Sequence, residues 1–193
     1  LPIPLPGRSM TSIATINWST EAAVDRPLKT AVSQHFSRAA RSYDAHAALQ
    51  LAVGRSLVQR LPAQLAIPAA LDLGCATAPF ARAQQQALPG VLWQAVDLSS
   101  DMLNEAAERG RLNDQYRPLC ADAESLPVES GSQGLGFSCF ALQWCDPTRV
   151  MAEVHRVLAP GGRLLLAVPL AGSLRELSQS WQAVNHRPHV NAL

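Results

Sequence analysis

The stretch LDLGCATAPF, residues 71–80, passes from an apolar run through a glycine into a segment rich in small residues. The apolar run AALDLGC at 69–75 ends near a glycine, which is typical of a buried parallel strand that passes into a tight turn. The residues that follow, PFARAQQQALPG at 79–90, carry proline at a possible first helical position and glycine at the far end. That asymmetry predicts a helix. A strand, a glycine turn and a helix in succession predict the first unit of an α/β sheet.

The same alternation continues along the chain. Ser99 or Ser100 can cap a helix that runs to Gly110, and Asp146 with Pro147 can open another that the sequence APGG at 159–162 would end. Apolar runs predict four further strands, at 91–98, 116–121, 135–142 and 163–170. The pattern predicts an α/β fold, with a doubly wound, mainly parallel sheet and helices on both faces.

The chain divides into an arm and one domain. Residues 1–27, with proline at positions 2, 4, 6 and 27, predict an extended N-terminal arm. Residues 28–193 form the predicted domain, which begins with helices over 28–62 that break near 43–47. The sheet with its crossovers follows over 69–170, and apolar spacing predicts a last amphipathic helix over 173–185.

Composition and charge exclude several kinds of partner. The formal net charge of +1 gives no field that would gather nucleic acid or an anionic membrane surface, and no apolar run reaches the roughly 20 residues of a membrane span. The four cysteines are 45, 19 and 6 residues apart, without the close pairs of a zinc or redox site. We therefore expect reduced thiols, a cytoplasmic location and no metal.

Acidic residues stand at the ends of the first three predicted strands: Asp72, Asp97 and Asp122. Asp97 lies 23 residues after Gly74, where an acid commonly accepts hydrogen bonds from the ribose hydroxyls of an adenosine ligand. Asp122 follows the third strand, where its carboxylate can accept a proton from an adenine amino group. Each acid alone could equally be a helix cap or a solvated loop residue. Together, with the turn at Gly74, they predict a cofactor site at the carboxyl ends of the strands.

At these residues the sequence resembles the class I S-adenosylmethionine-dependent methyltransferases. Four stretches stand where the motifs of that superfamily would: LDLGCATA (71–78), AVDLSSDML (95–103), ADAESLP (121–127) and VLAPGGRLLLAVP (157–169). Three others resemble the malonyl-acyl-carrier-protein O-methyltransferase family of biotin synthesis: HFSRAARSYDAHAALQ (35–50), ALQWCDP (141–147) and GSLRELSQSWQAVNHRPHVN (172–191).

The resemblance implies a cofactor, a substrate and a reaction. The cofactor is S-adenosyl-L-methionine, and the substrate is a malonyl thioester, on acyl carrier protein or coenzyme A, whose free carboxylate is methylated for biotin synthesis. The residues that would bind the cofactor are Asp72, Gly74, Ala76, Asp97, Leu98, Met102, Asp122 and Ala123.

The predicted reaction needs alignment more than proton transfer. A carboxylate with a pKa of about 4 is already ionised at neutral pH, so no general base is required. We expect orienting donors and aromatic walls, and the candidates for the catalytic residues are Tyr43, His46, Gln143 and Trp144. The alternative for Tyr43 is a ring that only packs on the core, and the alternative for Trp144 is a wall of the sheet edge.

The sequence departs from the family in three places. Ala76 and Ala78 stand where glycine is usual, which matters because alanine is disfavoured at positive φ. Gln133 and Gly134 replace an aromatic and an acid before the fourth strand, and Gly136 would weaken that strand further. The sequence ends before the C-terminal strand pair of the family, so we expect a sheet without it.

These departures leave two alternatives to the predicted activity. One is a non-catalytic methyltransferase-fold protein, with weakened cofactor binding, that acts by binding a partner. The other is a methyltransferase that acts on a different small carboxylate.

Overall fold

The computed structural model describes residues 29–170 and, beyond them, residues 173 and 183. The predicted arm at 1–27 lies outside the described residues. The predicted helix at 173–185, apart from its two isolated positions, and the predicted lack of a C-terminal strand pair also lie outside them.

Three helices precede the sheet. They are α1 (Lys29–Ala39), α2 (Tyr43–His46) and α3 (Ala48–Val58), with a 3₁₀ turn at Ala40–Ser42 between the first two. The predicted break is confirmed, because α3 begins only after Ala47, whose φ of −95° and ψ of 30° are not helical. No residue of α1 is buried, whereas α3 buries Gly54. The first helix therefore lies on the protein with only part of its surface covered.

The described strands form one five-stranded parallel sheet. The strands are β1 (Ala69–Leu73), β2 (Leu92–Asp97), β3 (Tyr116–Cys120), β4 (Gln133–Cys139) and β5 (Leu158–Ala167). Their order is β3-β2-β1-β4-β5, so the direction in which the chain adds strands reverses between β1 and β4. The predicted doubly wound sheet is confirmed, and its reversal point opens a crevice at the carboxyl ends of β1 and β4.

Helices α4 (Ala81–Ala87), α5 (Ser100–Glu108) and α6 (Pro147–Val157) connect these strands. The predicted caps of α5 and α6 are confirmed: Ser99 accepts a hydrogen bond from the Met102 amide, and Asp146 accepts one from the Arg149 amide. The predicted start of α4 is wrong. Proline 79 precedes the helix instead of opening it, because the turn after β1 continues as far as Phe80.

Apolar side chains pack on both faces of the sheet, because successive residues of a strand point to opposite sides. On one face α3, α4 and α5 cover Trp93 and Phe137. On the other face α6 covers Leu71 and Leu73. The prediction of helices on both faces is therefore confirmed, and the two cores hold the carboxyl ends of the strands in a fixed arrangement.

The fourth and fifth strands differ in detail from their predictions. Strand β5 begins at Leu158, so the APGG sequence lies inside an irregular pairing with β4, where Gly161 has a φ of +80°. The glycines of β4 have a packing role, since a Cβ on Gly134 would lie 2.3 Å from the carbonyl oxygen of Ile67. Glycine thus lets the segment before β1 approach this strand.

Replacing Gly54 by alanine should destabilise the fold. A Cβ at this position would lie 2.0 Å from the Cζ atom of Phe80, so α3 or the ring has to move. We expect the free energy of unfolding to fall by about 1–3 kcal/mol, although alanine is the better helix former by about 1 kcal/mol. Urea denaturation measures this change. Combining the substitution with Phe80→Leu should cost less than the sum of the two single changes, and simple additivity would contradict the steric explanation.

Candidate functional site

A crevice lies at the carboxyl ends of the strands, beneath α1. Its walls come from α1, α2, the turns after β1, β2 and β3, and the segment after β4. The lining residues are Lys29, Val32, Ser33, Phe36, Tyr43, Gly74, Ala76, Val96, Asp97, Leu98, Ser99, Ala121, Asp122, Ala123, Phe140, Ala141, Leu142, Trp144 and Cys145. The cavity measures about 90 Å³, which is room for several water molecules.

The turn after β1, residues 74–78, forms one wall of the crevice. Gly74, Ala76 and Ala78 all have positive φ, at +68°, +49° and +51°. A Cβ on Gly74 would lie 2.1 Å from the Cβ of Ala141, so only glycine allows the turn to approach the segment after β4. The two alanines show that the turn keeps a left-handed conformation even where glycine is replaced, at a cost of about 1–2 kcal/mol each.

Asp97 fixes this turn to the end of β2. Its Oδ2 accepts a hydrogen bond of 2.8 Å from the Ala76 amide, and its Oδ1 accepts one of 2.9 Å from the Ser99 amide. Burial raises the pKa of Asp97, and these backbone donors act in the opposite direction because they favour the charged form. A carboxylate oxygen has more than one lone pair, so each oxygen of Asp97 can accept a further hydrogen bond from a ligand in the crevice.

Asp122 lies at the end of β3, where the prediction put it, and it has a partner that the sequence did not indicate. The ammonium group of Lys29 pairs with Asp122 Oδ2 and also lies 2.9 Å from Glu124 Oε2. Glu124 accepts a hydrogen bond from the Asp146 amide through its other oxygen. Lys29 therefore ties the start of α1 to the loop after β3.

Three aromatic rings close the other end of the crevice. Phe36 lies between Tyr43 and Trp144, with ring centroids 6.3 Å and 5.9 Å away. Burial, with the nearby charge of Asp97, raises the pKa of Tyr43 to about 12. The phenol therefore stays protonated at neutral pH and can donate a hydrogen bond. No sequence pattern indicated that Phe36 would join Tyr43 and Trp144 at this end of the crevice.

Eight of the twelve predicted site residues line the crevice. These are Tyr43, Gly74, Ala76, Asp97, Leu98, Asp122, Ala123 and Trp144. The others lie outside its wall. His46 is exposed, with its Nδ1 atom 2.9 Å from the Ser42 carbonyl, and Gln143 donates a hydrogen bond to the Phe140 carbonyl. Met102 is buried behind the turn and packs with Ala76, so it supports the wall without forming it.

Asp72 is the remaining predicted site residue that does not line the crevice. It belongs to a buried network behind the turn. The Tyr116 hydroxyl lies 2.5 Å from Asp72 Oδ2 and 2.7 Å from Gln84 Oε1, while Gln84 Nε2 lies 3.2 Å from the same carboxylate oxygen. The Tyr116 hydroxyl has one proton but lies within hydrogen-bonding distance of two acceptor oxygens. When Asp72 carries a proton, it donates to the Tyr116 hydroxyl and the hydroxyl donates to Gln84 Oε1, so each of these two hydrogen bonds has its own proton. Burial raises the pKa of Asp72 to about 6, consistent with this arrangement.

Comparison with known proteins identifies the family. A model described as a methyltransferase domain matches residues 71–166. The malonyl-[acyl-carrier protein] O-methyltransferase of Alcanivorax borkumensis is 77% identical over 98% of this chain, and that of Hamiltonella defensa is 42% identical over 84%. The chain belongs to the malonyl-[acyl-carrier protein] O-methyltransferase family. It spans 66% and 61% of the length of these two relatives.

Other relatives extend the comparison. The biotin biosynthesis bifunctional protein BioHC of Cellvibrio japonicus is 36% identical over 96% of this chain, which spans 36% of that protein. A solved complex of the Haloferax volcanii Trm112 methyltransferase activator and a putative methyltransferase superposes with a TM-score of 0.60 at 22% identity. The match covers 67% of this chain and 57% of the other. The likeness to the Haloferax volcanii complex supports the fold alone.

Two further observations concern metal binding and membrane-spanning helices. Within residues 29–170, 173 and 183, no group of three or more histidine, cysteine, aspartate or glutamate side chains could hold a metal ion. None of the helices in the same part of the chain has the length and apolar character needed to cross a membrane.

The Asp72 network predicts how stability depends on pH. A carboxyl whose pKa is raised on folding contributes stability below its unfolded pKa of about 4 and loses it as the pH rises through about 6. In Asp72→Asn the amide can donate to Tyr116 as a protonated carboxyl does. Only the part of this window above pH 5 lies between pH 5 and pH 8, so we expect the substitution to remove about 1 kcal/mol from the difference between the unfolding free energies at those two pH values.

Urea denaturation at pH 5 and pH 8 measures this difference. Asp114→Asn, at an exposed position, is the control and should leave it unchanged. A pH dependence in Asp72→Asn equal to that of the unsubstituted chain would show that Asp72 is ionised throughout.

Proposed function

We propose that this chain uses S-adenosyl-L-methionine to methylate the free carboxylate of a malonyl thioester carried by acyl carrier protein. The observation that carries the proposal is the crevice itself, where two strand-end carboxylates and three aromatic rings line one cavity. The names of the relatives support the choice of substrate, and the BioHC relative supports a role in biotin synthesis. A cytoplasmic location is part of the proposal.

The chemistry of the crevice fits this cofactor. Asp97 and Asp122 would hold the adenosine part, since a carboxylate is the acceptor that ribose hydroxyls and an adenine amino group need. Ala123 and Leu98 lie beside these acids and offer apolar surface to the base. The bound cofactor supplies a methyl group on a sulfonium. Phe36 and Trp144 line the same cavity and would attract such a cation if it lay over the face of either ring.

The size of the cavity implies that it widens when the cofactor enters. At about 90 Å³ it is smaller than the roughly 300–1,000 Å³ of small-molecule pockets. Four lining residues, Lys29, Val32, Ser33 and Phe36, belong to α1, which has no buried residue. Polar contacts hold this helix in place: Lys29 with Asp122, Ser33 with the Leu98 carbonyl and Ser37 with Ser99. Because no residue of α1 is buried, we expect the helix to move outward during binding once these contacts break.

The residues at the aromatic end would orient the substrate. The malonyl carboxylate is ionised at neutral pH and attacks without a base. Tyr43 keeps its proton there because its pKa is about 12, so its hydroxyl can donate a hydrogen bond that fixes one carboxylate oxygen. Phe36 and Trp144 exclude water from the reacting atoms. Alignment and dehydration together can supply several kcal/mol of the rate enhancement.

A product assay tests the proposal. The 193-residue chain is incubated with S-adenosylmethionine and malonyl-acyl carrier protein, and mass spectrometry looks for the gain of one methyl group. We expect the methyl ester, and we expect Asp97→Ala to lower the rate at limiting cofactor about 10-fold or more, since two charged hydrogen-bond acceptors are lost.

Parallel reactions separate the alternatives. Malonyl-coenzyme A and other small carboxylates replace the carrier-bound substrate, and a product with another acid alone would favour a different methyltransferase. The absence of product with every acid, together with no heat on titration with S-adenosylhomocysteine at millimolar concentration, would contradict the proposal and favour a non-catalytic binding protein.

A further inference from the structure

Thr77 lies at the centre of the left-handed turn and is fully buried. Its neighbours Ala76 and Ala78 both have positive φ, which is a strained conformation for a non-glycine residue. Such strain persists only where surrounding contacts hold the backbone in place. The side chain and carbonyl of Thr77 make contacts of this kind.

Two charged side chains from distant parts of the chain hold Thr77. Arg111 donates to the Thr77 carbonyl at 2.9 Å and to its Oγ1 at 3.0 Å. The Thr77 hydroxyl donates to Asp44 Oδ1 at 2.5 Å, and Arg111 closes the ring by donating to Asp44 Oδ2 at 2.6 Å. We call Asp44, Thr77 and Arg111 the clamp.

The clamp joins the two halves of the proposed site. Asp44 is the residue after Tyr43, which lines the aromatic end, and Thr77 follows Ala76, which lines the cofactor end. Burial acts to raise the pKa of Asp44, but hydrogen bonds from Arg111 and Thr77 and the charges of Arg111 and Arg109 lower it overall. The Asp44 carboxylate is therefore fully ionised at neutral pH, so its ion pair with Arg111 is present at that pH.

We propose that Asp44 and Arg111 are positioning residues, which hold the 74–78 turn in its cofactor-binding conformation and fix Tyr43 relative to it. The inference rests on the proposed function, because the cofactor is the ligand that the turn would contact. The clamp also explains how the turn tolerates alanine at positions 76 and 78. Glycine adopts a positive φ without strain, whereas alanine needs side-chain contacts that hold the backbone in that conformation. Neither residue lines the crevice, so neither touches the ligand directly.

Arg109 provides a matched control. It also pairs with Asp44, at 3.2 Å, and it donates to the Arg41 carbonyl, so it too connects α5 to the N-terminal helices. No hydrogen bond joins Arg109 to Thr77 among the described residues. Both arginines are partly exposed, at 33% for Arg109 and 26% for Arg111, so each ion pair should stabilise the fold by only about 0–1 kcal/mol.

The test compares Arg111→Gln with Arg109→Gln in the full chain. Calorimetric titration with S-adenosylhomocysteine should show about a 10-fold loss of affinity in Arg111→Gln and less than about a 2-fold change in Arg109→Gln, at similar melting temperatures. Arg111→Lys should recover only part of the affinity, because an ammonium lacks the planar fork that reaches Thr77 and Asp44 together. Equal losses in both glutamine variants, in proportion to their melting temperatures, would overturn the proposal.

A second measurement does not depend on the ligand. Amide hydrogen exchange over residues 75–78, without cofactor, should be faster by about 10-fold in Arg111→Gln than in Arg109→Gln, because the turn opens more often. If the unsubstituted chain binds no S-adenosylhomocysteine, the proposed function fails while the exchange data still decide whether the clamp holds the turn. Equal exchange in the two variants would reject the clamp.

Discussion

The left-handed turn at 74–78 is the constraint on which the rest of the site depends. Its backbone bends away from β1 at once, close to Ala141, and the amides of Gly74 and Cys75 donate to the Val96 carbonyl. Side chains from other elements also hold the turn in place. Asp97 holds the Ala76 amide from β2, and the clamp holds Thr77 from α2 and from the segment after α5. The strain of two alanines is thereby offset by contacts outside the turn.

The two ends of the crevice are built on different physical principles. The end that contains Asp97 and Asp122 uses partly buried carboxylates at the ends of parallel strands, whose positions follow from the sheet and its two apolar cores. The aromatic end uses side chains on α1, on α2 and in the segment after β4, which pack by their rings and by polar contacts. The strand ends are held by two apolar cores, whereas no residue of α1 is buried.

Local sequence patterns could predict the part of the site that is formed by the strand ends and the turns after them. Strand positions, the caps at Ser99 and Asp146, and the acids at 97 and 122 all depend on residues close in sequence or on parallel strands ending at one edge. The contacts that hold the N-terminal helices over the crevice could not be predicted in the same way. Lys29 reaches Asp122 across 93 residues, and Thr77 meets Asp44 across 33. Such pairs depend on how helices dock, which no periodicity encodes.

The resemblance implied a cofactor role for Asp72, whereas in the structure its carboxyl lies in the buried network with Tyr116. The partner of this carboxyl could not be predicted, because Tyr116 comes from another strand 44 residues away. Whether the eight crevice-lining residues act as predicted stays a prediction. Chemical-shift perturbation of the ¹⁵N-labelled chain by S-adenosylhomocysteine would show where the ligand binds. We expect the largest shifts at the amides of Ala76, Ser99 and Ala123, and shifts confined to residues away from these strand ends would rule out a site at this crevice.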